Sequence, residues 1–114
     1  NKDLINEFSK YLILKDASAN YQRNCIKVMW MFAEFIKEQK GLNLSQIDSD
    51  NILLFLDSRK RNREQDPDQK WITTWNDYLW RIKIFYRWYY NTKILKNNIF
   101  DLITSRRRIW INNI

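Results

Sequence analysis

The scarcity of glycine and proline most limits what this chain can fold into. Its 114 residues include one glycine, Gly41, and one proline, Pro67. Tight turns between strands depend on these residue types, because glycine tolerates positive φ and proline presets the turn backbone. Helices need neither, and 45% of the residues are apolar, which supplies a core. The chain is therefore predicted to be all-α, and its length suits a single domain.

Apolar residues recur at helical spacing in five segments. The first predicted helix is capped by Asp3 and ends near Leu14, and the second follows a connector of residues 15–20 and ends at Gly41. The third is capped by Asp48 or Asp50. The fourth starts at Thr73 or Thr74, with a capping box from Thr74 to Asp77, and a short fifth covers residues 99–105. Residues 64–69 have no apolar period and contain Pro67, which predicts a mobile surface loop between the third and fourth helices.

The fourth helix combines an aromatic stripe with a basic face. Residues 73–91 carry eight aromatic rings and three basic side chains. At 100° per residue one arc of about 120° is apolar and is predicted to face the core. The members of that arc are Trp75, Tyr78, Leu79, Ile82, Phe85, Tyr86 and Tyr89. The opposite arc includes Trp80, for which burial against a neighbouring element is the favoured prediction over contact with nucleic acid or with another domain.

Positive charge is concentrated in the second part of the chain. The chain has 20 Lys and Arg against 13 Asp and Glu, a net charge of +7. Residues 1–70 contribute twelve basic and eleven acidic side chains, whereas residues 71–114 contribute eight basic and two acidic ones. A one-sided positive field favours a polyanion partner, although net charge also serves solubility.

The residue inventory argues against catalysis by this chain. There is no histidine to act as a general base or metal ligand, and one glycine cannot form a phosphate-binding loop. The lone Cys25 belongs to an apolar stripe and is predicted to be a small core residue. The carboxylate pairs stand at helix caps or in the predicted loop, without apolar shielding to raise a pKa. We therefore predict no enzyme activity, cofactor, metal or small-molecule substrate for this chain.

Polar and basic residues cluster opposite the core stripe on two helices, where an α-helix can enter the major groove of DNA. The predicted DNA-binding residues are Asn20, Arg23, Asn24 and Lys27 on the second helix, Thr73, Thr74, Asp77, Arg81 and Lys83 on the fourth, and the triplet Arg106, Arg107 and Arg108. The alternative is that each is a solvated helix face or, for the triplet, a soluble linker.

No apolar run reaches the roughly 18 residues of a membrane span, and the N-terminal residues do not resemble a signal peptide. This predicts a cytoplasmic protein without a membrane partner. The segment after residue 105 is basic and then apolar, without a helical stripe. We interpret residues 1–105 as one helical domain and residues 106–114 as a basic linker towards a C-terminal domain of a longer protein.

The order of these elements resembles the N-terminal core-binding domain of tyrosine recombinases, the phage-integrase and Xer-like enzymes. The matching segments are "EFSKYL", "ASANYQRNCIKVMWMFAEFIK", "SDNILLFLDSR" and "TTWNDYLWRIKIFYRWYY". Asn98 keeps the Asn of the family's Asn-Pro pair but Ile99 replaces the Pro, and Tyr21 stands where the family commonly has Thr.

The resemblance implies a SAM-like orthogonal bundle of four long helices plus a short C-terminal helix. It also implies that this domain forms half of a clamp on double-stranded DNA during integration or recombination, beside other recombinase protomers. Residues carried over by position are Asn24, Lys27, Thr73, Thr74, Asp77 and Arg81. The family's catalytic residues belong to a separate C-terminal domain. A mobile-element, viral or prokaryotic origin fits the recombinase hypothesis. The alternative function is a helical protein-protein interaction module that uses Trp80, Trp88 and the apolar tail.

Overall fold

Four α-helices account for most of the residues that this computed structural model describes, which are residues 1–92 and Arg106. The helices are α1, Lys2–Leu14; α2, Ala19–Lys40; α3, Ser49–Asp57; and α4, Lys70–Thr92; a 3₁₀ helix, Leu44–Gln46, precedes α3. No strand occurs in the described residues, which confirms the all-α prediction. The predicted fifth helix and the proposed boundary after residue 105 lie outside them, apart from Arg106.

Local capping chemistry sets several helix ends. The Ser18 hydroxyl accepts a hydrogen bond from the Tyr21 backbone N–H at 3.1 Å and starts α2. Gly41 ends α2 in the left-handed conformation, with φ 66°, and its N–H donates to the Lys37 carbonyl. Asp48 and Asn51 form a reciprocal capping box at the start of α3. The predicted caps Gly41 and Asp48 are therefore confirmed.

Two predicted helix starts are wrong. The residue that precedes α1 is Asn1 rather than Asp3, which lies inside the first turn. Helix α4 begins at Lys70, so Thr73 and Thr74 lie inside the helix and cannot cap it. The cap comes instead from the preceding loop, because the Asp66 carboxylate accepts a hydrogen bond from the Trp71 backbone N–H at 2.8 Å.

The loop before α4 lies at the surface, as predicted, but two of its residues are buried. Asp66 and Gln69 are both buried. The Asp66 backbone N–H donates to the Asn62 carbonyl at 3.0 Å, and the Gln69 N–H donates to the Asp66 carbonyl at 3.0 Å. These hydrogen bonds give the segment a defined path without an apolar period in its sequence. Among the described helices, α1 has 13 residues and α3 has nine, so only α2 and α4 exceed 20 residues there.

The core forms where α2 packs against the three other helices. The predicted core stripe of α4 is largely confirmed: Trp75, Leu79, Ile82, Phe85 and Tyr86 are buried, and Tyr78 and Tyr89 are half-buried. Cys25 is a buried free thiol, as predicted. Trp88 is buried as well, so it is not part of an exposed interaction surface. Residues 1–92 contain no helix with the length and apolarity needed to cross a bilayer.

A buried hydrogen bond links α4 to the segment between α2 and α3. The Tyr86 hydroxyl donates to the Leu44 carbonyl at 2.8 Å, and both residues are buried. Because an unpaired buried carbonyl is costly, replacing Tyr86 with phenylalanine is expected to lower the free energy of unfolding by about 1–2 kcal/mol at neutral pH. Urea denaturation measures this loss.

The same phenol predicts a dependence on alkaline pH. Burial raises the pKa of Tyr86 well above its usual value. Its contribution to stability is therefore complete below the unfolded pKa of about 10 and is lost as the pH rises towards the folded pKa. The deficit of the Tyr86→Phe variant should shrink between about pH 8 and about pH 11. A deficit that stays constant or grows would contradict this assignment.

Candidate nucleic-acid interface

Arg81 joins the two helices that were predicted to bind DNA. Its Nε donates to the Asp77 carboxylate at 3.1 Å on the same helix, and its Nη1 lies 3.3 Å from the Cys25 sulfur of α2. The guanidinium also lies 5.3 Å from the Trp80 ring and 6.0 Å from the Tyr21 ring. Only 12% of the Arg81 side chain is exposed. Arg81 therefore lies at the junction of α2 and α4 rather than on the outer surface.

At this junction Arg81 is charged and Cys25 is neutral, because both pKa values are raised. Burial acts to lower the pKa of Arg81, but the hydrogen bonds to Asp77 and Cys25 outweigh it and the pKa is raised. Burial raises the pKa of Cys25, which keeps the thiol protonated at neutral pH despite the nearby guanidinium. The carboxylate of Asp77, with 43% of its side chain exposed, balances the positive charge of Arg81.

The N-terminal half of α2 displays the predicted polar face to solvent. Asn20, Arg23, Asn24 and Lys27 are all exposed. The Arg23 guanidinium donates to the Asn20 amide oxygen at 3.0 Å, which links two members of the face. In the part of the chain that the structure describes, no carboxylate lies within ion-pair distance of Arg23 or Lys27. The four predicted residues of α2 are thus brought together on one surface.

The predicted residues of α4 are more dispersed. Thr73 is exposed, while Thr74, Asp77 and Lys83 are half-buried. Arg81 and Lys83 are two residues apart, which places them about 160° apart around the helix. Helix α4 meets α2 at Arg81, which contacts Cys25, and at Trp80, which packs on Tyr21. Lys83 therefore does not share the side of α4 on which Arg81 lies.

Arg106 packs against the beginning of α4. Its backbone N–H and carbonyl pair with the Asn76 side-chain amide, each at 2.7 Å. Its guanidinium lies 4.9 Å from the Trp75 ring and 3.9 Å from the Asp57 carboxylate. These contacts give Arg106 an anchoring role within the domain. Arg107 and Arg108, the other predicted members of the triplet, lie outside the described residues.

Trp80 is not buried, contrary to the favoured prediction. It is 47% exposed, and its ring forms a T-shaped pair with Tyr21 on α2 at a centroid distance of 5.7 Å. Tyr21 is thereby a packing partner of α4. The exposed indole stands directly beside the Arg81 junction. An aromatic surface therefore adjoins the polar face of α2.

A second basic surface was not predicted from the sequence. Arg59, Lys60, Arg61 and Lys70 line a groove of about 610 Å³ between the end of α3 and the start of α4. Thr74, one of the predicted residues, lines the same groove. The signal was present in the sequence as four basic residues within positions 59–63, but the balanced net charge of residues 1–70 concealed it.

Comparisons of the chain with protein-family models, with curated protein sequences and with solved structures give no match.

Proposed function

We propose that this chain is a DNA-binding module, the SAM-like core-binding domain of a tyrosine recombinase, which holds duplex DNA for recombination or integration. The observation that carries the proposal is the exposed face of Asn20, Arg23, Asn24 and Lys27 beside the α4 junction. Its two cations have no carboxylate partner in residues 1–92. A polyanion would therefore not have to displace an internal ion pair.

The dimensions of this face suit a DNA groove. Asn20 and Lys27 are seven residues apart, which corresponds to about 10 Å along the helix. The major groove of B-DNA is about 12 Å wide and admits one α-helix. Arg23 and Lys27 supply charges for phosphate oxygens or guanine edges, and Asn24 supplies the amide that can recognise adenine.

The α4 residues contribute mainly by positioning the α2 face. Arg81 holds α4 against α2 through Asp77 and Cys25, so it acts on DNA through the helix arrangement rather than by direct contact. Thr73 and Thr74 lie nearer the start of α4, where hydroxyl groups can donate to phosphates. In this proposal strand cleavage occurs in another domain, and other recombinase protomers occupy the same DNA.

Replacing Arg23 and Lys27 together with alanine is expected to weaken binding to a duplex without unfolding the domain. Both side chains are exposed on α2, where substitutions usually change stability by less than about 0.5 kcal/mol. If each neutralises one phosphate, the slope of log affinity against log salt should become shallower by about 1.8. Fluorescence anisotropy with a labelled duplex at several salt concentrations measures both quantities.

A matched control removes two cations far from this face. Lys37 and Lys40 lie in the last turn of α2, so the Lys37→Ala, Lys40→Ala variant loses the same net charge. The control should retain the parent slope more closely than the Arg23 and Lys27 variant. Equal slopes in the parent and in the Arg23 and Lys27 variant would remove the proposed surface.

A protein-interaction module is the second candidate function, and the exposed indoles favour it. Trp80 is 47% exposed and Trp30 is 37% exposed. Trp30 follows Lys27 by three residues and so lies on the same side of α2. A contact centred on these rings would respond weakly to salt, whereas duplex binding responds steeply. Absence of duplex binding even at low salt would favour this second function.

A further inference from the structure

The groove between α3 and α4 has the composition of an anion-binding site. Its volume is about 610 Å³, and its walls come from the end of α3, the following loop and the first turns of α4. The cations that line it are Arg59, Lys60, Arg61 and Lys70, and the carboxylates that line it are Asp66 and Asp68. The groove therefore carries a surplus of positive charge drawn from two separate elements.

The four cations differ in what already engages them. Lys60 forms an ion pair with Asp57 at 3.4 Å, and the Arg59 guanidinium lies 5.4 Å from the Phe55 ring. Arg61 and Lys70 are exposed and form no ion pair in the described part of the chain. Arg59 is thus held in place by packing. Arg61 and Lys70 interact with Asp66 through their charges without forming an ion pair, and their exposed side chains can reach a ligand.

One of the two carboxylates in the groove, Asp66, has a structural role that limits its competition for these cations. Asp66 is directed at the backbone N–H of Trp71, at 2.8 Å. This hydrogen bond is the main reason that the pKa of Asp66 is lowered. Because Asp66 occupies the beginning of α4, an incoming anion has to be held by the cationic side chains and not by the helix terminus.

We propose that this groove binds the phosphodiester backbone of the nucleic acid that occupies the α2 face. Thr74 connects the two surfaces, since it lines the groove and lies within two turns of Arg81 on α4. Lys70 and Arg81 are eleven residues apart, or about 16 Å along α4, a distance that spans several backbone phosphates. The inference rests on the proposed function for the identity of the ligand, and it adds a second contact region to it.

Mixed chemistry favours a nucleic-acid backbone over an isolated small anion. Arginine offers paired donors that match phosphate oxygens, and lysine offers a mobile point charge. Trp71 and Tyr78 give the groove aromatic walls next to these groups. A nucleic-acid backbone presents phosphates and sugars in succession, so the cations can hold its phosphates while the aromatic walls lie against its sugars.

The test compares the Arg61→Gln, Lys70→Gln variant with the parent chain on a labelled duplex at several salt concentrations. If each of the two side chains neutralises one phosphate in the parent, the slope of log affinity against log salt should become shallower by about 1.8 in the variant. The Lys2→Gln, Lys10→Gln variant is the matched control, because it removes the same charge from exposed positions of α1. Its slope should stay at the parent value.

The possible outcomes separate this inference from the proposed function. A parent slope in the groove variant, or the same loss in the α1 control, overturns the groove while leaving duplex binding intact. If the parent chain binds no duplex, the proposed function fails and inorganic polyphosphate becomes the probe of the groove. Saturable polyphosphate binding that the Arg61 and Lys70 variant loses and the control retains would then support the groove. Its absence would overturn the groove as well.

Discussion

Replacing Phe85 with alanine is expected to lower the free energy of unfolding by about 3–5 kcal/mol. Phe85 has no exposed surface. Its ring packs edge-on against Phe8 of α1 at 5.1 Å and lies 5.5 Å from Trp88 on its own helix. Removing the ring deletes these contacts and leaves a cavity where α1 meets α4. Chemical denaturation monitored by circular dichroism measures the change.

The control for this prediction is an apolar residue outside the core. Leu54 lies on α3 and is exposed, so Leu54→Ala should change stability by less than about 0.5 kcal/mol. A Phe85→Leu variant retains much of the volume and should lose less than Phe85→Ala. Should Phe85→Ala unfold at the same denaturant concentration as the parent, the packing of α1 on α4 described here would be wrong.

The second large effect is expected from Arg81→Ala, and it should appear first in stability. Loss of the hydrogen bonds to Asp77 and Cys25, together with the packing on Trp80 and Tyr21, is expected to cost about 2 kcal/mol. The partial exposure of Asp77 keeps the estimate below that for a fully buried charge pair. The sequence alone predicts a different result, in which Arg81→Ala weakens DNA binding and leaves the fold intact.

Urea denaturation and duplex binding of the same variant decide between these two roles. Arg23→Ala is the matched control, because it removes the same charge from an exposed position of α2 and should leave stability within about 0.5 kcal/mol. A positioning role for Arg81 predicts reduced stability, with a salt slope for duplex binding close to that of the parent. Unchanged stability with a shallower slope would return Arg81 to the outer DNA-binding face.

Helix type and core membership followed closely from local pattern. The three- and four-residue spacing of large apolar residues in the fourth helix identified Trp75, Leu79, Ile82 and Phe85 as core, and the structure buries all four. The same spacing in the second helix identified Cys25 as a core residue, and it is buried. The apolar stripe of a long helix faces the interior of the protein, so periodicity alone is sufficient to predict which of its residues are buried.

Helix starts and exposed rings depended on partners that lie elsewhere in the sequence. Helix α4 starts at Lys70, earlier than predicted, because the Asp66 carboxylate accepts a hydrogen bond from the Trp71 N–H in its first turn. A capping side chain in a loop adds nothing to the apolar periodicity from which helix starts are predicted. Trp80 stays 47% exposed although Tyr21 of α2 packs against its ring. Sequence spacing specifies which arc a ring occupies but not which neighbour covers that arc.

The amino-acid sequence by itself determined an all-helical chain, its apolar stripes and the polar face of the second helix, because these depend on backbone propensity and on a period of 3.6 residues. The tertiary structure decided which charges remain available. It placed Arg81 between α2 and α4, brought Arg106 to Asn76, and gathered Arg59, Arg61 and Lys70 around one groove. The physical reason is that the availability of a cation depends on the carboxylates, rings and carbonyl groups around it, and those groups come from distant segments of the chain.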